Sequence, residues 1–186
     1  MSQEIRPVCL VASYTLRIDP SELQIVSWPD HRLRTRATHV PTAEEVALAA
    51  PKMIELMHEA SGIGLAAPQV GLPWRMFVTY VPDADPINRV FVNPVLRLDL
   101  CGTPPQPYEE GCLSLPDLRL EILRPKGACI SASDAEGHPF EMSDDGLLAR
   151  VWQHEFDHLE ARLIFDLAQP VDASMVKRWR KVYDSP

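Results

Sequence analysis

Ser143-Asp144-Asp145-Gly146-Leu147-Leu148-Ala149-Arg150-Val151-Trp152-Gln153-His154-Glu155-Phe156-Asp157-His158-Leu159-Glu160 lies in the longest stretch of the chain without proline, residues 140–169. Proline breaks helix interiors, and the chain has 18 prolines in 186 residues against only 8 glycines, so few other segments can hold a long helix. With Ser143 as its cap, the segment reads as a helix over about 144–160. Leu147, Val151, His154 and His158 form one stripe, with Leu148, Trp152, Glu155 and Leu159 beside it. Two imidazoles one turn apart can reach a single metal ion, and Glu155 stands where it can take a proton from a water on that ion. Composition alone expects only about 0.013 such H-E-x-x-H patterns in this chain. The helix is therefore read as the carrier of a metal site.

The other proline-free windows, 52–67 and 171–185, hold two further helices. Thr42-Ala43-Glu44-Glu45 is a capping box that opens the first, and Val46, Ala50, Met53, Ile54 and Met57 follow at helical spacing. Pro51 is expected to kink that helix or split off its first turn, and Gly62 to cap its end. The last helix spans about 172–183, with Lys177, Arg178, Arg180 and Lys181 on one face. Between them, 76–81, 90–93, 95–100, 119–123, 128–133 and 139–142 read as strands, and Pro104, Pro105 and Pro107 mark a loop before the segment 108–112. The fold class is α+β, with antiparallel sheets wrapped around a central metal-binding helix and a C-terminal helix. Residues 1–22 are expected to form an N-terminal extension, and residues 23–186 a single catalytic domain.

Charge and cysteine content narrow the function. A net charge of −8 argues against a general nucleic-acid-coating role or sequence-specific binding to nucleic acid. No apolar run approaches the roughly 20 residues of a membrane span. The start of the chain lacks a cationic n-region, because Glu4 offsets Arg6, and four scattered cysteines are too few for a secreted disulfide scaffold. A cytoplasmic protein is expected. The third metal ligand stays open on spacing. Ile164 stands where a third histidine of a metzincin would fall, no glutamate follows Glu160, and Asp166, Asp172, Asp184 and the four cysteines remain. Cys112 is favoured by its context, between Gly111 and Leu113-Ser114-Leu115-Pro116. Gly62-Ile63-Gly64-Leu65-Ala66-Ala67-Pro68-Gln69 permits close backbone approach to a ligand and offers the Gln69 amide to an oxyanion, although a helix stop and tight turn would read the same way.

Taken together, Gly62–Gln69, Glu110-Gly111-Cys112-Leu113-Ser114 and Gln153–His158 resemble the three signature motifs of peptide deformylases, in the same order and at similar separations. The resemblance runs from about Leu23 to the C-terminus. It implies removal of the formyl group from N-formyl-methionyl nascent peptides, with release of formate. It also implies Cys112, His154 and His158 as ligands of one divalent ion, Fe2+ in the cell, with Zn2+, Ni2+ or Co2+ as substitutes. Glu155 would act as general base and acid, and the Gln69 side chain and Leu113 backbone N–H would meet the oxyanion. Ile63, Gly64, Tyr108, Gly111, Arg119, Leu147 and Val151 would bind substrate. A Glu110–Arg124 pair is expected behind the second motif, with surface solvation as the alternative. The basic C-terminal helix would dock on the ribosome, as in some family members. Two positions depart from the family pattern. Ala161 replaces a usual glycine, at a cost of about 1 kcal/mol if that residue needs positive φ. Arg150 stands where an apolar residue usually borders the pocket. A zinc endopeptidase and a non-catalytic metal-binding paralogue are the competing readings.

Overall fold

The computed structural model describes residues 18–40, 42–99 and 104–184, so most of the expected N-terminal extension, Cys9 and Cys101 lie outside it. Among the described residues, three α-helices, α1 (Ala43–Glu59), α2 (Leu147–Leu159) and α3 (Ala173–Tyr183), combine with seven strands. These are β1 (Gly64–Ala66), β2 (Met76–Val81), β3 (Asp85–Asp99), β4 (Gln106–Cys112), β5 (Leu115–Arg124), β6 (Gly127–Ser133) and β7 (Pro139–Asp144). An antiparallel sheet has the order β1-β2-β3-β6-β7, and β4 and β5 form a separate ribbon.

Period-two alternation along the strands explains the layering. Leu65, Met76 and Val78 pack with Met53 and Met57 of α1. Their neighbours Ala66 and Phe77 turn to the opposite face and join Phe91, Ile130 and Trp152 of α2. Helix α2 is thus buried against the sheet along one side, and its other side meets the ribbon. A third cluster, including Leu118, Leu120 and Ile122 of β5 with Phe165 and Trp179, anchors the C-terminal helix. Trp179 also donates its indole N–H to the Pro116 carbonyl at 2.7 Å. The α+β architecture built around a central helix matches the expectation.

Local details differ from the sequence reading. Helix α1 runs through Pro51 as one element, because Val46, Ala49, Ala50, Met53 and Met57 bury a continuous stripe on both sides of the hydrogen bond that proline cannot donate. Its end is not capped by a left-handed Gly62. Ser61 takes that conformation at φ 54°, and the Gly62 amide donates to the Met57 carbonyl at 2.8 Å. Gly62 packs closely instead, since a Cβ there would lie 2.8 Å from Leu113 Cδ1, the tip of a side chain that would have to shift. The segments 90–93 and 95–100 are one strand, β3, with a register shift about Asn93, which has φ 50°. Pro107, expected in the loop before 108–112, belongs with that segment to strand β4. Ser143 lies within β7, and the cap of α2 comes instead from Asp144, whose Oδ2 accepts from the amides of Gly146 and Ala149 at 2.7 and 3.0 Å.

Ala161 does adopt the left-handed conformation, φ 59°, immediately after α2. There the Arg162 amide donates to the Asp157 carbonyl at 2.8 Å, a closure that favours glycine at the residue before it. Ala161→Gly is therefore expected to raise stability by about 1 kcal/mol, which is a rise of about 2–4 °C in Tm for a domain of this size. Thermal unfolding measures it, and an unchanged or lower Tm would contradict the assignment.

Candidate metal centre

The regularity of α2 puts His154 and His158 one turn apart, with ring centroids separated by 5.2 Å. Strand β4 delivers the third group. A register irregularity between Gly111 and Cys112 shifts the pairing with β5 from Arg119 to Leu115, and Cys112 Sγ lies 3.3 Å from His158 Nε2. One ligand atom from each of Cys112, His154 and His158 lies within 4.8 Å of the others. A tetrahedral zinc-like ion with one sulfur and two nitrogens needs its ligand atoms about 3.3–3.6 Å apart, so small side-chain adjustments suffice.

The surroundings favour a cation. Glu110 Oε2 lies 3.0 Å from His154 Nδ1, leaving Nε2 as the nitrogen that faces the cluster. Burial alone would lower the His154 pKa, but Cys112, Glu110 and Glu155 around it raise it well above the ordinary histidine value. Burial, with the nearby charges of His154 and Arg124, holds His158 well below that value, as a neutral imidazole with a lone pair to give. A thiol, two imidazoles and two neighbouring carboxylates fit a divalent ion of borderline softness.

Glu110 is itself fixed from several sides. Arg124 grips its carboxylate with Nε at 2.7 Å and Nη2 at 2.9 Å, and Arg150 Nη1 adds a bond at 2.8 Å. Burial opposes ionisation of Glu110, yet the bonds from His154 and Arg124 outweigh it and hold the pKa at about 2. Arg124 also reaches Asp157 at 2.8 Å, and Asp157 meets Arg162 at 2.6 Å. The expected Glu110–Arg124 pair thus exists and is buried, not solvated. The bond of Asp157 to Arg124 and the bonds of Arg150 were not legible in the sequence, because those partners lie 28 to 44 residues apart.

Glu155 occupies the same pocket from the neighbouring position on α2. Its carboxyl presses against strand β1, so closely that a Cβ on Gly64 would collide with Oε1 and lie 2.8 Å from Cδ. Strand β1, which the sequence reading treated as a turn, therefore explains Gly64 by close approach. Burial pushes the Glu155 pKa up to about 7, a value suited to exchanging protons near neutrality. On the opposite side, Gln69 Oε1 accepts from the Ala66 amide at 2.8 Å. This turns its NH2 group toward Cys112 Sγ at 3.5 Å and Ser114 Oγ at 3.3 Å.

These groups open on a cleft of about 840 Å3. Ile63, Gly64 and Gln69 line it from the β1 side, and Tyr108, Gly111, Cys112, Leu113 and Arg119 from the ribbon. Leu147, Val151, His154 and Glu155 form its floor along α2. Arg119 lies over the ribbon with Nη1 3.2 Å from where a Cβ of Gly111 would stand. Of the residues singled out from the sequence, His158 alone is not part of the lining; it is buried behind Cys112. Arg150, singled out only as a departure, does line the cleft.

The chain is similar to known proteins over most of its length. The family model for polypeptide deformylase matches residues 22–174. A peptide deformylase of Chromohalobacter salexigens is 39% identical over 171 residues, covering 89% of this chain and 99% of the relative. One from Acinetobacter baumannii is 40% identical over 156 residues, covering 83% and 88%. Among solved structures, a peptide deformylase from Legionella pneumophila superposes with a TM-score of 0.77 at 34% identity, covering 87% of this chain and 95% of the other. That from Thermotoga maritima gives 0.72 at 37% identity, with 80% and 98% covered.

Proposed function

The chain belongs to the peptide deformylase family, and from that premise we infer how its cleft works. It is a metal-dependent hydrolase that removes the formyl group from N-formylmethionine at the start of newly made polypeptides, releasing formate. The observation that carries this reading is the convergence of one thiol and two imidazoles at the wall of a cleft that a buried carboxyl also lines, beside a backbone strand edge.

Cys112, His154 and His158 would hold the ion. When bound, a divalent metal supplies Lewis acidity and makes its water a nucleophile near neutral pH. Glu155 accepts the proton released as water attacks the formyl carbon and returns it to the departing amine. The Gln69 NH2 group and the Leu113 backbone N–H donate to the developing oxyanion. Gly64, Ile63 and Gly111 offer backbone to the extended peptide, in the manner of an added strand. The methionine side chain enters between Ile63, Tyr108, Leu147 and Val151, with Arg119 at the peptide's outer side. Fe2+ is the proposed occupant in the cell, and Zn2+, Ni2+ and Co2+ suit the same donors. Residues 23–186 form the single catalytic domain in this reading.

Anaerobic formate release from a formyl-Met-Ala dipeptide by the iron- or nickel-loaded protein tests the function. Release in proportion to bound metal is expected. Casein cleavage without formate release would indicate an endopeptidase instead, and metal binding with neither activity a non-catalytic paralogue.

We further propose that the last helix docks on the ribosome, which is consistent with a cytoplasmic site of action. Lys177, Arg178 and Lys181 are exposed, whereas Arg180 turns inward over the Trp28 and Phe165 rings and pairs with Asp184 at 3.1 Å. The docking face is thus narrower than the four basic residues expected. Replacing Lys177, Arg178 and Lys181 by alanine should abolish ribosome co-sedimentation, and unchanged sedimentation would dispose of the idea. No helix among the described residues is long and apolar enough to cross a membrane.

A further inference from the structure

Arg150 departs from the motif yet makes more polar contacts than any neighbour on its helix face. Its guanidinium is 12% exposed on the side chain and spends its donors on three acceptors. Nη1 bonds Glu110 Oε1 at 2.8 Å and the Ile122 carbonyl at 3.1 Å, and Nη2 bonds the Gln106 carbonyl at 2.7 Å. The same planar group covers the Tyr108 ring, 5.2 Å from its centroid. Gln106 lies two residues before Tyr108 on β4, and Ile122 is the residue paired with Tyr108 across the ribbon. Arg150 therefore grips the ribbon on both sides of Tyr108 and packs over the ring between them.

This matters because the ribbon is not hydrogen-bonded to the five-stranded sheet, and Tyr108, itself 54% exposed, stands at the cleft mouth. An aromatic ring this exposed has little packing of its own to fix it. Glu110, by contrast, is also held by two bonds from Arg124 that do not involve Arg150. The two halves of the site thus differ in what holds them.

We propose that Arg150 is a positioning residue for substrate, fixing the Tyr108 wall of the side-chain pocket from α2. The proposal rests on the deformylase reading above, in which that pocket receives the methionine side chain. Arg150 acts through Tyr108 and the β4–β5 backbone and does not touch the reacting atoms. Its loss should weaken substrate binding more than turnover, because the proton-transferring and metal-holding groups keep their partners.

The test is steady-state kinetics on formyl-Met-Ala with the metal-loaded protein, alongside metal content. Arg150→Met keeps the aliphatic stem and removes the grip. It should raise KM about tenfold, lower kcat by less than about threefold, and leave the metal content unchanged. In a Tyr108→Leu background the same substitution should change KM by less than about threefold, since the two residues act as a unit. Arg150→Lys carries the charge but cannot reach three acceptors with a planar fork, so KM should rise by about threefold. That variant keeps the test decisive should Arg150→Met not fold. An unchanged KM, equal falls in kcat and metal content, or additive effects with Tyr108→Leu would overturn the proposal. Absence of formate release by the parent protein would instead overturn the deformylase reading.

Discussion

Glu155→Ala is expected to lower formate release at least about 10²-fold while the protein keeps its metal. The expectation follows from position and environment together. Glu155 sits one residue after His154, its carboxyl wedged against Gly64, and burial raises its pKa to about 7. A carboxyl in that state accepts a proton readily and gives it back readily, which is what attack by water and departure of an amine both require. Cys112, His154 and His158 do not depend on Glu155 for their convergence, so metal content should be close to that of the parent. Turnover per bound metal, measured anaerobically, is the deciding quantity. Full activity in the variant would refute the assigned role, and loss of metal would show that Glu155 serves the centre rather than the proton.

The second large effect is on stability. Arg124→Met removes the cation that joins Glu110 and Asp157, whose side chains are only 5% and 9% exposed. Breaking a buried pair by removing one partner leaves uncompensated charge and costs about 3–5 kcal/mol. The lower end is expected here, because Glu110 retains Arg150 and Asp157 retains Arg162. The pH dependence has a definite sign. The pKa of Glu110 is depressed from an ordinary 4.5 to about 2, so its stabilisation is complete above the former and disappears as pH falls through the latter. Urea unfolding at pH 7 and pH 3 should therefore show a large gap between parent and variant at pH 7 and a smaller one at pH 3. A loss below about 1 kcal/mol, or an equal gap at both, would mean that the network does not stabilise the fold in this way.

The fold was legible in the sequence where its signals are local. Helix α2 is announced by a long proline-free window and a two-sided apolar pattern, and the strands β2, β6 and β7 by branched and aromatic runs between turn residues. What escaped was set by tertiary contact. Three residues, Gly64–Ala66, are too short to show a strand period, and only their pairing with Phe77–Thr79 makes them one. Ser61 takes the left-handed turn next to a glycine better suited to it, while the Gly62 amide closes on the Met57 carbonyl. Pro51 does not divide α1, since the buried stripe outweighs one lost hydrogen bond.

The candidate site shows the same division. The residue types and their order along the chain point to a metal hydrolase, and the fold brings Cys112 of β4 beside two histidines more than forty residues away. The bonds that support them could not be read in advance. Nothing near Arg150 in sequence foretells that it reaches the carbonyls of Gln106 and Ile122, or that Glu110 receives two arginines and a histidine. Spacing shows which side chains share a helix face; it does not show what the opposite ribbon presents to that face.

The most direct test of the account is X-ray absorption on the zinc-loaded protein. It should give one sulfur at about 2.3 Å and two imidazole nitrogens at about 2.0–2.1 Å, with the sulfur shell lost in Cys112→Ser and kept in Cys129→Ser. A shell of nitrogen and oxygen alone in the parent protein would contradict the centre on which the proposed function depends.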